Sequence, residues 1–326
     1  MRLIRNDRTS PYFNLALEEV ALTRMTDDVL ILWRNEAAVI VGKNQNAAEE
    51  VDLDFVRQRN IAVVRRQSGG GAVFHDLGNV NFTIVRSMER GDFSNYEKFT
   101  APVIGYLATL GVRAALQGRN DLVIDGMKFC GNAQAARGDR IMHHGCILYS
   151  ADFSNLVGAL RPRRAKIESK GVKSVRARVT NIADHMPRPL PVEAFLQGLE
   201  AYFAERMPGV ARRDLTDEEA DAARRLVEEK YATWEWNFGR APAYNMENGA
   251  RFAFGAVDVR LLVERGVVAD ISLSGDFFGA RDVSVLETRL RGLRHERSAF
   301  EAALREYPVG EFISGMTAEE LIDLVC

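Results

Sequence analysis

The segment that decides the fold is RRQSGGGAVFHD, residues 65–76. It begins with two arginines at the end of an apolar stretch, continues into three consecutive glycines and then returns to apolar residues. Glycine has no Cβ atom, so its backbone N–H group can approach a ligand closely, and the arginines add charge-assisted donors for phosphate or carboxylate. The segment therefore predicts a loop between two strands that is either an anion or nucleotide site or a flexible hairpin tip. It matches neither the Walker pattern nor a GxGxxG segment that opens a helix.

Around this loop the sequence alternates between predicted strands and helices. The predicted strands are 3–5, 29–33, 38–41, 61–66, 72–75, 81–86, 122–124, 127–130 and 141–149. The predicted helices are one that begins at Pro11 behind Ser10 as its N-cap, and 52–60, 95–110, 192–207 and 217–230. We expect 72–75 and 81–86, which follow the glycines, to form a strand pair.

A second informative segment is GRNDLVIDGMKFCGNA, residues 118–133. Its Asp125-Gly126 pair supplies the positive φ angles of a tight turn and predicts a hairpin. Lys128 follows this turn between two apolar residues, so it either projects alone into a site or is an exposed edge-strand lysine. Asp121 can hold a divalent ion near phosphates or cap a turn, and its spacing favours the turn.

Cys130 is a candidate nucleophile, with His75, His143 or His144 as its base. A lone cysteine beside an aromatic residue on a strand is more often small core filling, and the pattern favours that interpretation. His143 and His144 are consecutive, so a strand directs their rings to opposite faces. That arrangement argues against a shared zinc site.

Composition limits the function classes. The chain has 326 residues, with 43 Lys and Arg against 45 Asp and Glu, and 47% of its residues are apolar. This balance argues against disorder and against a nucleic-acid partner, which needs a basic face. No segment has the roughly 18 consecutive apolar residues of a membrane helix. Three cysteines without CxxC spacing suit a reducing compartment, so we expect a cytoplasmic protein without a membrane partner.

The length predicts two domains. An aromatic cluster at 231–238 is followed by a new strand alternation from about Asn248. We therefore predict an α/β protein with mixed sheets, divided into a large domain at 1–245 and a small α/β C-terminal domain at 246–326. The segment 161–173 carries six basic residues and one acid, which predicts an exposed basic loop.

Five ordered motifs carry a resemblance that spans both predicted domains. They are RRQSGGGAVFHDLGNVNF (65–82), GRNDLVIDGMKFCGNA (118–133), HHGCILYSADFSNL (143–156), SVRARVTNI (174–182) and WEWNFGRAPAY (234–244). With these motifs the chain resembles lipoate–protein ligases of the A type, in the biotin/lipoate ligase superfamily. The resemblance implies a biotin/lipoate-ligase-like catalytic domain, and a reaction in which lipoate and ATP give lipoyl-AMP, from which a target lysine takes the acyl group.

The resemblance also implies roles for single residues. The positions that match the family's nucleotide-binding residues are Arg66, Gly71, Ala72, Val73, Phe74 and Lys128. Lys128 is also the implied catalytic residue and contacts the lipoyl group. The other implied lipoate-binding residues are Ser68, His75, His144 and Leu17, with Val73 and Ala133 beside the apolar chain. Asp121 is a candidate ligand for Mg²⁺ bound with ATP. The basic loop 161–173 lies near the family's adenylate-covering segment.

The implied partners are lipoyl domains of 2-oxoacid dehydrogenase acyltransferase subunits or the H protein of glycine cleavage. Cys130 and Cys146 stand where the family usually has serine and threonine, which leaves a thioester route open. The first rival is therefore a cysteine-dependent octanoyl or lipoyl transferase on the same fold. Its nucleophile would precede the hairpin, where 118–123 has no cysteine. The second rival is a non-catalytic protein that binds lipoate or biotin as a sensor, linked to DNA as in some biotin ligases. The balanced charge counts against a DNA-linked sensor, and we expect no helix-turn-helix before the fold.

Overall fold

The computed structural model describes residues 1–160, 178–207, 209–239 and 244–326, which form three β-sheets with helices on their faces. The strands are β1 Arg2–Asn6, β2 Val29–Trp33, β3 Ala38–Val41, β4 Ala62–Arg65, β5 Val73–His75, β6 Asn79–Ser87, β7 Ala115–Gln117, β8 Asp121–Ile124, β9 Met127–Arg137, β10 Arg140–Leu148, β11 Ala211–Arg212, β12 Met246–Phe252, β13 Gly255–Glu264 and β14 Val267–Gly275. The helices are α1 Pro11–Thr23, α2 Ala47–Glu50, α3 Leu53–Gln58, α4 Tyr96–Thr109, α5 Phe153–Ala159, α6 Val192–Arg206, α7 Asp217–Leu226, α8 Trp234–Phe238, α9 Val283–Leu290, α10 Arg297–Leu304, α11 Val309–Phe312 and α12 Ala318–Val325. The predicted α/β class with mixed sheets is confirmed. No helix in the described ranges is long and apolar enough to cross a bilayer.

The largest sheet has eight strands in the order β11-β1-β2-β6-β10-β9-β8-β7. Strand β1 pairs in parallel with β2 and β11, and the other neighbours are antiparallel. Because side chains alternate along a strand, the two faces bury different partners. Leu32 and Phe82 share a buried cluster with Phe203 of α6, whereas Trp33 belongs to a cluster with Leu17 of α1. The face under α1 carries the candidate site.

The glycine segment connects two strands of a second sheet, ordered β4-β3-β5. Strand β3 is its centre, parallel to β4 and antiparallel to β5. The expected pairing of 72–75 with 81–86 is therefore wrong, because β6 has β2 on one edge and β10 on the other in the large sheet. Ile40 and Val64 of the second sheet share a buried cluster with Leu17. Helix α1 thus contacts both sheets.

The C-terminal region, from β12 onward, forms the third sheet, ordered β12-β13-β14. Its buried cluster is built from its own residues, from Val257 on β13 to Val325 at the end of α12. Helix α12 begins with a capping box in which Thr317 and Glu320 satisfy each other's backbone N–H groups. The division between 245 and 246 stays a prediction.

Local sequence signals predicted several elements correctly. Asp125 and Gly126 have φ angles of 50° and 77°, as the tight hairpin requires. Helix α4 covers the predicted range, with Pro102 in its interior and not in its first turn, a choice that the sequence left open. Thr216 and Glu219 form the predicted capping box of α7. These elements depend on residues that are close together in the chain.

Other elements differ from the prediction. Strand β9 is longer than the predicted 127–130, because it pairs with β10 along most of its length. Helix α7 ends earlier than expected and continues as a π-helical turn, Val227–Tyr231. Helix α5 and strand β7 were not predicted. The basic segment 161–173 lies outside the described residues.

Arg65 has a structural role that differs from the expected anion contact. Its side chain is fully buried. The guanidinium donates to five main-chain carbonyls, at Gly42 (2.9 Å), Lys43 (3.1 Å), Gln45 (2.5 Å), Trp236 (3.0 Å) and Asn237 (2.9 Å). Arg65 therefore joins the second sheet to helix α8, and its donors are directed at the protein.

We expect Arg65→Lys to lower the free energy of unfolding by about 3 kcal/mol or more. An ammonium group cannot reach the carbonyls of 42–45 and those of helix α8 at the same time, so it leaves buried acceptors unpaired. Urea denaturation followed by circular dichroism measures this loss. The control is Arg57→Lys, at a side chain that is 79% exposed, and it should change stability by less than about 0.5 kcal/mol. Equal effects of the two substitutions would contradict this role for Arg65.

Candidate active site

The glycine loop is held by the side chain of Arg66. This side chain is 5% exposed and donates to Ser68 Oγ (2.9 Å) and to the carbonyls of Ile40 (3.1 Å), Gly69 (2.7 Å) and Gly71 (2.9 Å). Burial lowers the pKa of the guanidinium to about 10, so it stays protonated at neutral pH. Arg66 therefore fixes the shape of the loop and places a buried positive charge directly behind it.

Ser68 continues this network into the large sheet. Its Oγ lies 2.7 Å from Nε2 of His144, whose Nδ1 lies 2.8 Å from Oε1 of Glu18 on helix α1. Thr83 Oγ1 also donates to Glu18 Oε1, at 2.5 Å. The order Ser–His–Glu is that of a hydrolytic triad, yet Ser68 is 1% exposed and accepts from Arg66. The chain of contacts thus positions groups around the loop and does not present a nucleophile.

Lys128 lies on β9, just after the hairpin turn, and its side chain is 35% exposed. Its Nζ contacts Asp121 Oδ1 at 2.7 Å. The backbone of Lys128 is fixed by hydrogen bonds with Arg178 O (2.7 Å) and Thr180 N (2.9 Å). A Cβ at Gly131 would lie 3.0 Å from Lys128 Nζ, so this glycine leaves room for the lysine side chain. The backbone of Lys128 is therefore fixed, and solvent and ligands can reach the ion pair between its ammonium group and Asp121.

A row of residues extends from Lys128 across the large sheet. Gly131, Cys146, Asn81 and Trp33 are register partners on β9, β10, β6 and β2. Register partners project from the same face of a sheet, so the Lys128 side chain, which lies over Gly131, shares this face with the other three. His144, two positions from Cys146 on β10, projects from the same face.

The apolar candidates divide between two buried clusters. Leu17 is 1% exposed on α1, and Val73 packs against the same cluster. Ala133 is the register partner of His144 and is 5% exposed. Phe74, by contrast, belongs to the cluster on the other side of the second sheet, with Ala72 packed against it. The Phe74 ring therefore lies on the face of the second sheet opposite to Val73. On the Val73 face only the backbone of Phe74 is available to a ligand.

His75 ends strand β5 and is 4% exposed. Its ring meets the Trp33 ring edge-on, with centroids 5.9 Å apart. Burial, Arg66 and His144 together lower the pKa of His75 to about 3, so the ring is neutral at neutral pH. Asn35 Nδ2 lies 3.1 Å from its Nδ1.

The segment that follows β14 covers the glycine loop. Gly70 N donates to Phe277 O at 3.2 Å, so this loop donor faces the C-terminal region. The Phe278 ring lies 4.3 Å below the guanidinium of Arg119 and 6.2 Å from the ring of Tyr96. A ligand that takes the Gly70 N–H group as a donor must first replace Phe277 O.

Both candidate cysteines are protonated at neutral pH. Cys130 is fully buried, and burial raises the pKa of its thiol well above the ordinary value. Burial also raises the pKa of Cys146 to about 12, and its Sγ accepts a hydrogen bond from Asn79 Nδ2 at 3.0 Å. A thiolate is the nucleophilic form of cysteine, so neither residue is prepared for attack.

Asp121 is the predicted ligand for a divalent metal ion. In the described part of the chain, no group of three or more His, Cys, Asp or Glu side chains could hold a metal. Mg²⁺ in nucleotide sites commonly uses one or two carboxylates and takes its remaining ligands from phosphates and water. Asp121 therefore fits a Mg²⁺ ion that arrives with a nucleotide, in exchange for its contact with Lys128.

Sequence reasoning missed four residues that the structure brings to this region, namely Glu18, Asn81, Arg119 and Phe278. A signal existed for Glu18, because an acidic residue in the middle of the apolar helix α1 must find a buried partner. No local pattern marks the other three. Each reaches the site through pairing or packing between distant segments.

Comparison with known proteins gives consistent matches. The family model described as the lipoyl protein ligase A/B catalytic domain matches residues 10–204, and the one described as the bacterial lipoate protein ligase C-terminus matches residues 241–325. Lipoate-protein ligase LplJ of Bacillus subtilis (strain 168) is 39% identical over 319 residues, which are 97% of this chain and 96% of that protein.

Two solved structures support the same assignment. A bipartite lipoate protein ligase, described with its E2 lipoyl domain, from Thermoplasma acidophilum is 31% identical, with a TM-score of 0.67 over 75% of this chain and 98% of its own. A lipoate-protein ligase A bound with ATP is 30% identical, with a TM-score of 0.65 over 74% of this chain and 99% of its own.

The mixed α/β fold with a glycine loop over a buried arginine and a partly exposed lysine on the large sheet favours an enzyme that handles anionic substrates. The matches specify which enzyme class this is. The chain belongs to the lipoate–protein ligase family, and the protein is a ligase. This confirms the resemblance that the five motifs carry.

Gly70 and Gly71 provide a matched pair of substitutions in the loop. Gly70 has a φ of +92°, and an added Cβ would lie 2.9 Å from the Phe278 ring and 3.0 Å from Arg66 Nη2. At Gly71 the nearest heavy atom would be 4.0 Å away. We expect Gly70→Ala to lower the free energy of unfolding by about 1–3 kcal/mol, and Gly71→Ala to leave it unchanged or slightly raised. Urea denaturation of both variants tests this, and equal losses would contradict the assigned loop conformation.

Proposed function

We propose that the protein activates lipoate with ATP and transfers the lipoyl group to a specific lysine of an acceptor protein. In the first step a lipoate carboxylate oxygen attacks the α-phosphorus of ATP, and the bond to pyrophosphate breaks. In the second step the neutral amine of the acceptor lysine attacks the acyl carbon of lipoyl-AMP, AMP leaves and an amide forms. The observation that carries the proposal is the position of Lys128, over Gly131 on the sheet face that also holds His144.

Lys128 is the proposed catalytic residue. Lipoate and ATP are both anions, so their approach needs a positive charge between them, and charge develops on oxygen in both transition states. A lysine ammonium is a compact charge on a flexible stem, and it can follow the reacting oxygens from one step to the next. Asp121 holds Nζ at 2.7 Å until an anion replaces it.

The nucleotide is proposed to bind along the glycine loop. Gly71, Ala72, Val73 and Phe74 would contact it through their backbone, which agrees with the Phe74 ring facing the opposite cluster. Arg66 would act behind the loop, because its donors already hold the loop carbonyls. A Mg²⁺ ion bound with the triphosphate, with Asp121 as its protein ligand, would neutralise phosphate charge.

Lipoate is proposed to lie between helix α1 and the large sheet. Leu17, Val73 and Ala133 supply apolar surface for its hydrocarbon chain, and burial of that chain favours binding. The polar groups at the same place are Ser68, His75 and His144. We propose lipoyl domains as acceptors, either of 2-oxoacid dehydrogenase acyltransferase subunits or of the H protein of glycine cleavage. The similarity to the archaeal ligase, which is described together with its E2 lipoyl domain, supports this choice.

The alternative function is a cysteine-dependent octanoyl or lipoyl transferase on the same fold. It requires a thiolate that accepts the acyl group from a carrier. The raised pKa values of Cys130 and Cys146 count against it, and so does the burial of Cys130. The cytoplasmic location, like the exclusion of nucleic-acid partners, stays a prediction from the sequence.

The first test is Lys128→Ala. We expect the substitution to lower lipoate-dependent pyrophosphate release by at least about 100-fold, because the charge that stabilises the transition state is lost. Stability should fall by less than about 1 kcal/mol, since the ion pair with Asp121 is partly exposed and such pairs contribute little. The assay measures pyrophosphate with ATP and Mg²⁺, with and without lipoate, and detects lipoyl-AMP by mass spectrometry.

Lys98→Ala is the matched control, because Lys98 is also ion-paired, with Glu89 and Asp92, but lies on helix α4. Its activity should equal that of the unsubstituted protein. An active Lys128→Ala enzyme would overturn the catalytic assignment. Absence of lipoate-dependent pyrophosphate from the unsubstituted protein would overturn the proposed function.

Cys130→Ala and Cys146→Ser distinguish the ligase from the transferase. Both variants should keep kcat for the ATP-dependent reaction within about threefold, because protonated thiols take no part in it. Mass spectrometry measures acylation of a lipoyl-domain acceptor. One series contains lipoate and ATP, and the other contains a carrier protein loaded with an octanoyl or lipoyl thioester and no ATP. ATP-independent transfer that either substitution abolishes would establish the transferase instead.

A further inference from the structure

Three buried asparagines form a hydrogen-bonded chain that ends at His75. Asn6 Nδ2 donates to Asn14 Oδ1 at 2.6 Å, Asn14 Nδ2 donates to Asn35 Oδ1 at 2.8 Å, and Asn35 Nδ2 lies 3.1 Å from His75 Nδ1. The three asparagines are at most 4% exposed. They connect β1, α1 and the segment after β2 with the end of β5.

The orientation of every amide in this chain follows from main-chain atoms. Asn14 Nδ2 also faces the carbonyls of Arg8 and Arg34, each at 3.0 Å. Carbonyls only accept, so this end of Asn14 is its NH₂ group. An amide nitrogen cannot accept a hydrogen bond, so the Asn35 atom that faces this NH₂ group is the oxygen. The other end of the Asn35 amide is then its NH₂ group, which donates to His75. Nδ1 of His75 is therefore an acceptor.

A neutral imidazole with an accepting Nδ1 carries its proton on Nε2. The His75 ring is neutral, since burial, Arg66 and His144 lower its pKa to about 3. Its Nε2 is buried and has no hydrogen-bond partner among the described residues. A buried N–H group without an acceptor destabilises the protein, so the Nε2–H group of His75 is suited to a ligand that brings an acceptor.

A second unpaired group lies at the same place. Neither Oδ1 nor Nδ2 of Asn81 has a partner in the described part of the chain, although the residue is 1% exposed. Asn81 is the register partner of Trp33, whose ring meets the His75 ring. Both groups therefore border one region of the sheet face that Lys128 also shares. A ligand there needs an acceptor oxygen for His75, and Lys128 favours an anionic one.

We propose that Asn35 is a positioning residue that fixes His75 as its Nε2–H tautomer, so that His75 donates a hydrogen bond to an oxygen of the acyl substrate. The identity of that substrate as lipoate, or its adenylate, rests on the proposed function. The tautomer itself depends only on the asparagine chain. As a neutral donor, His75 orients the oxygen without adding a second cation beside Lys128.

The tautomer is tested directly by ¹⁵N NMR of histidine-labelled protein, which is tractable because the chain has five histidines. His75→Gln identifies the His75 signals. We expect Nδ1 to have the shift of an unprotonated nitrogen and Nε2 that of a protonated one, and we expect lipoate to move the Nε2 signal. A protonated Nδ1, or an Nε2 signal that lipoate leaves unchanged, would overturn the proposal.

Asn35→Leu removes the amide, donor and acceptor together, and keeps the number of side-chain heavy atoms. We expect mixed tautomers at His75 and a KM for lipoate about tenfold higher, with the KM for ATP unchanged. His143 is the internal control, because it is buried with its Nδ1 next to Gln134 and its signals should not move. Equal changes in both KM values, or a loss of stability with the tautomer retained, would indicate a merely structural role for Asn35.

His75→Gln provides the rescue, since a glutamine NH₂ group can occupy the position of Nε2–H and has no tautomers. We expect this variant to keep the KM for lipoate within about threefold and His75→Phe to raise it about tenfold. In the His75→Gln protein, Asn35→Leu should then have little further effect. Lipoate-dependent pyrophosphate release by the unsubstituted protein is measured first. Its absence would overturn the proposed function and the substrate named here, whereas the NMR result would still decide the tautomer.

Discussion

The site depends on the hydrogen bonds that the buried guanidinium of Arg66 donates to the glycine loop. The guanidinium draws the carbonyls of Gly69 and Gly71 inward and so determines the shape of the loop. A buried cation is costly unless its donors are satisfied and a counter-charge is near. The network supplies both, because Ser68 links Arg66 to His144, and His144 in turn contacts the buried carboxylate of Glu18.

This fixed charge also influences its neighbours. Burial lowers the pKa of His75, and Arg66 and His144 lower it further, so the site keeps one histidine neutral beside a permanent cation. A neutral imidazole can direct a single N–H group at a ligand, but only if another residue determines which nitrogen carries the proton. The asparagine chain from Asn6 to Asn35 determines which nitrogen of His75 carries the proton. The protonation of His75 thus depends on both the charge of Arg66 and the hydrogen bond from Asn35.

The sequence predicted what depends on neighbours in the chain. The turn at Asp125 and Gly126 and the capping box at Thr216 involve a few consecutive residues, and both were correct. The partner of strand β5 was wrong, because strand pairing is decided by which edges remain open after β6 joins the large sheet. Pairing across such distances is a property of the whole sheet.

The same distinction applies to the site. The sequence singled out residues 65–76 and Lys128 because the glycines and the hairpin are local signals, and their roles in the site stay predictions. The structural contacts of the two arginines could not be predicted, since they depend on which acceptors the folded chain places around Arg65 and Arg66. Glu18 lies 126 positions from His144, which it contacts. No sequence pattern in either segment predicts this contact.

The contrast between Arg66 and Lys128 suits the two successive steps of the proposed reaction. Arg66 is buried and fully engaged with the loop, so it cannot follow a substrate that changes during the reaction. Lys128 is partly exposed, and its contact with Asp121 is of a kind that contributes at most about 1 kcal/mol. A substrate anion can therefore displace Asp121 at little cost, and the ammonium can move to the oxygen that gains charge in each step. Arg66 is thus the fixed cation that holds the loop, and Lys128 is the exchangeable cation that the proposed reaction would use.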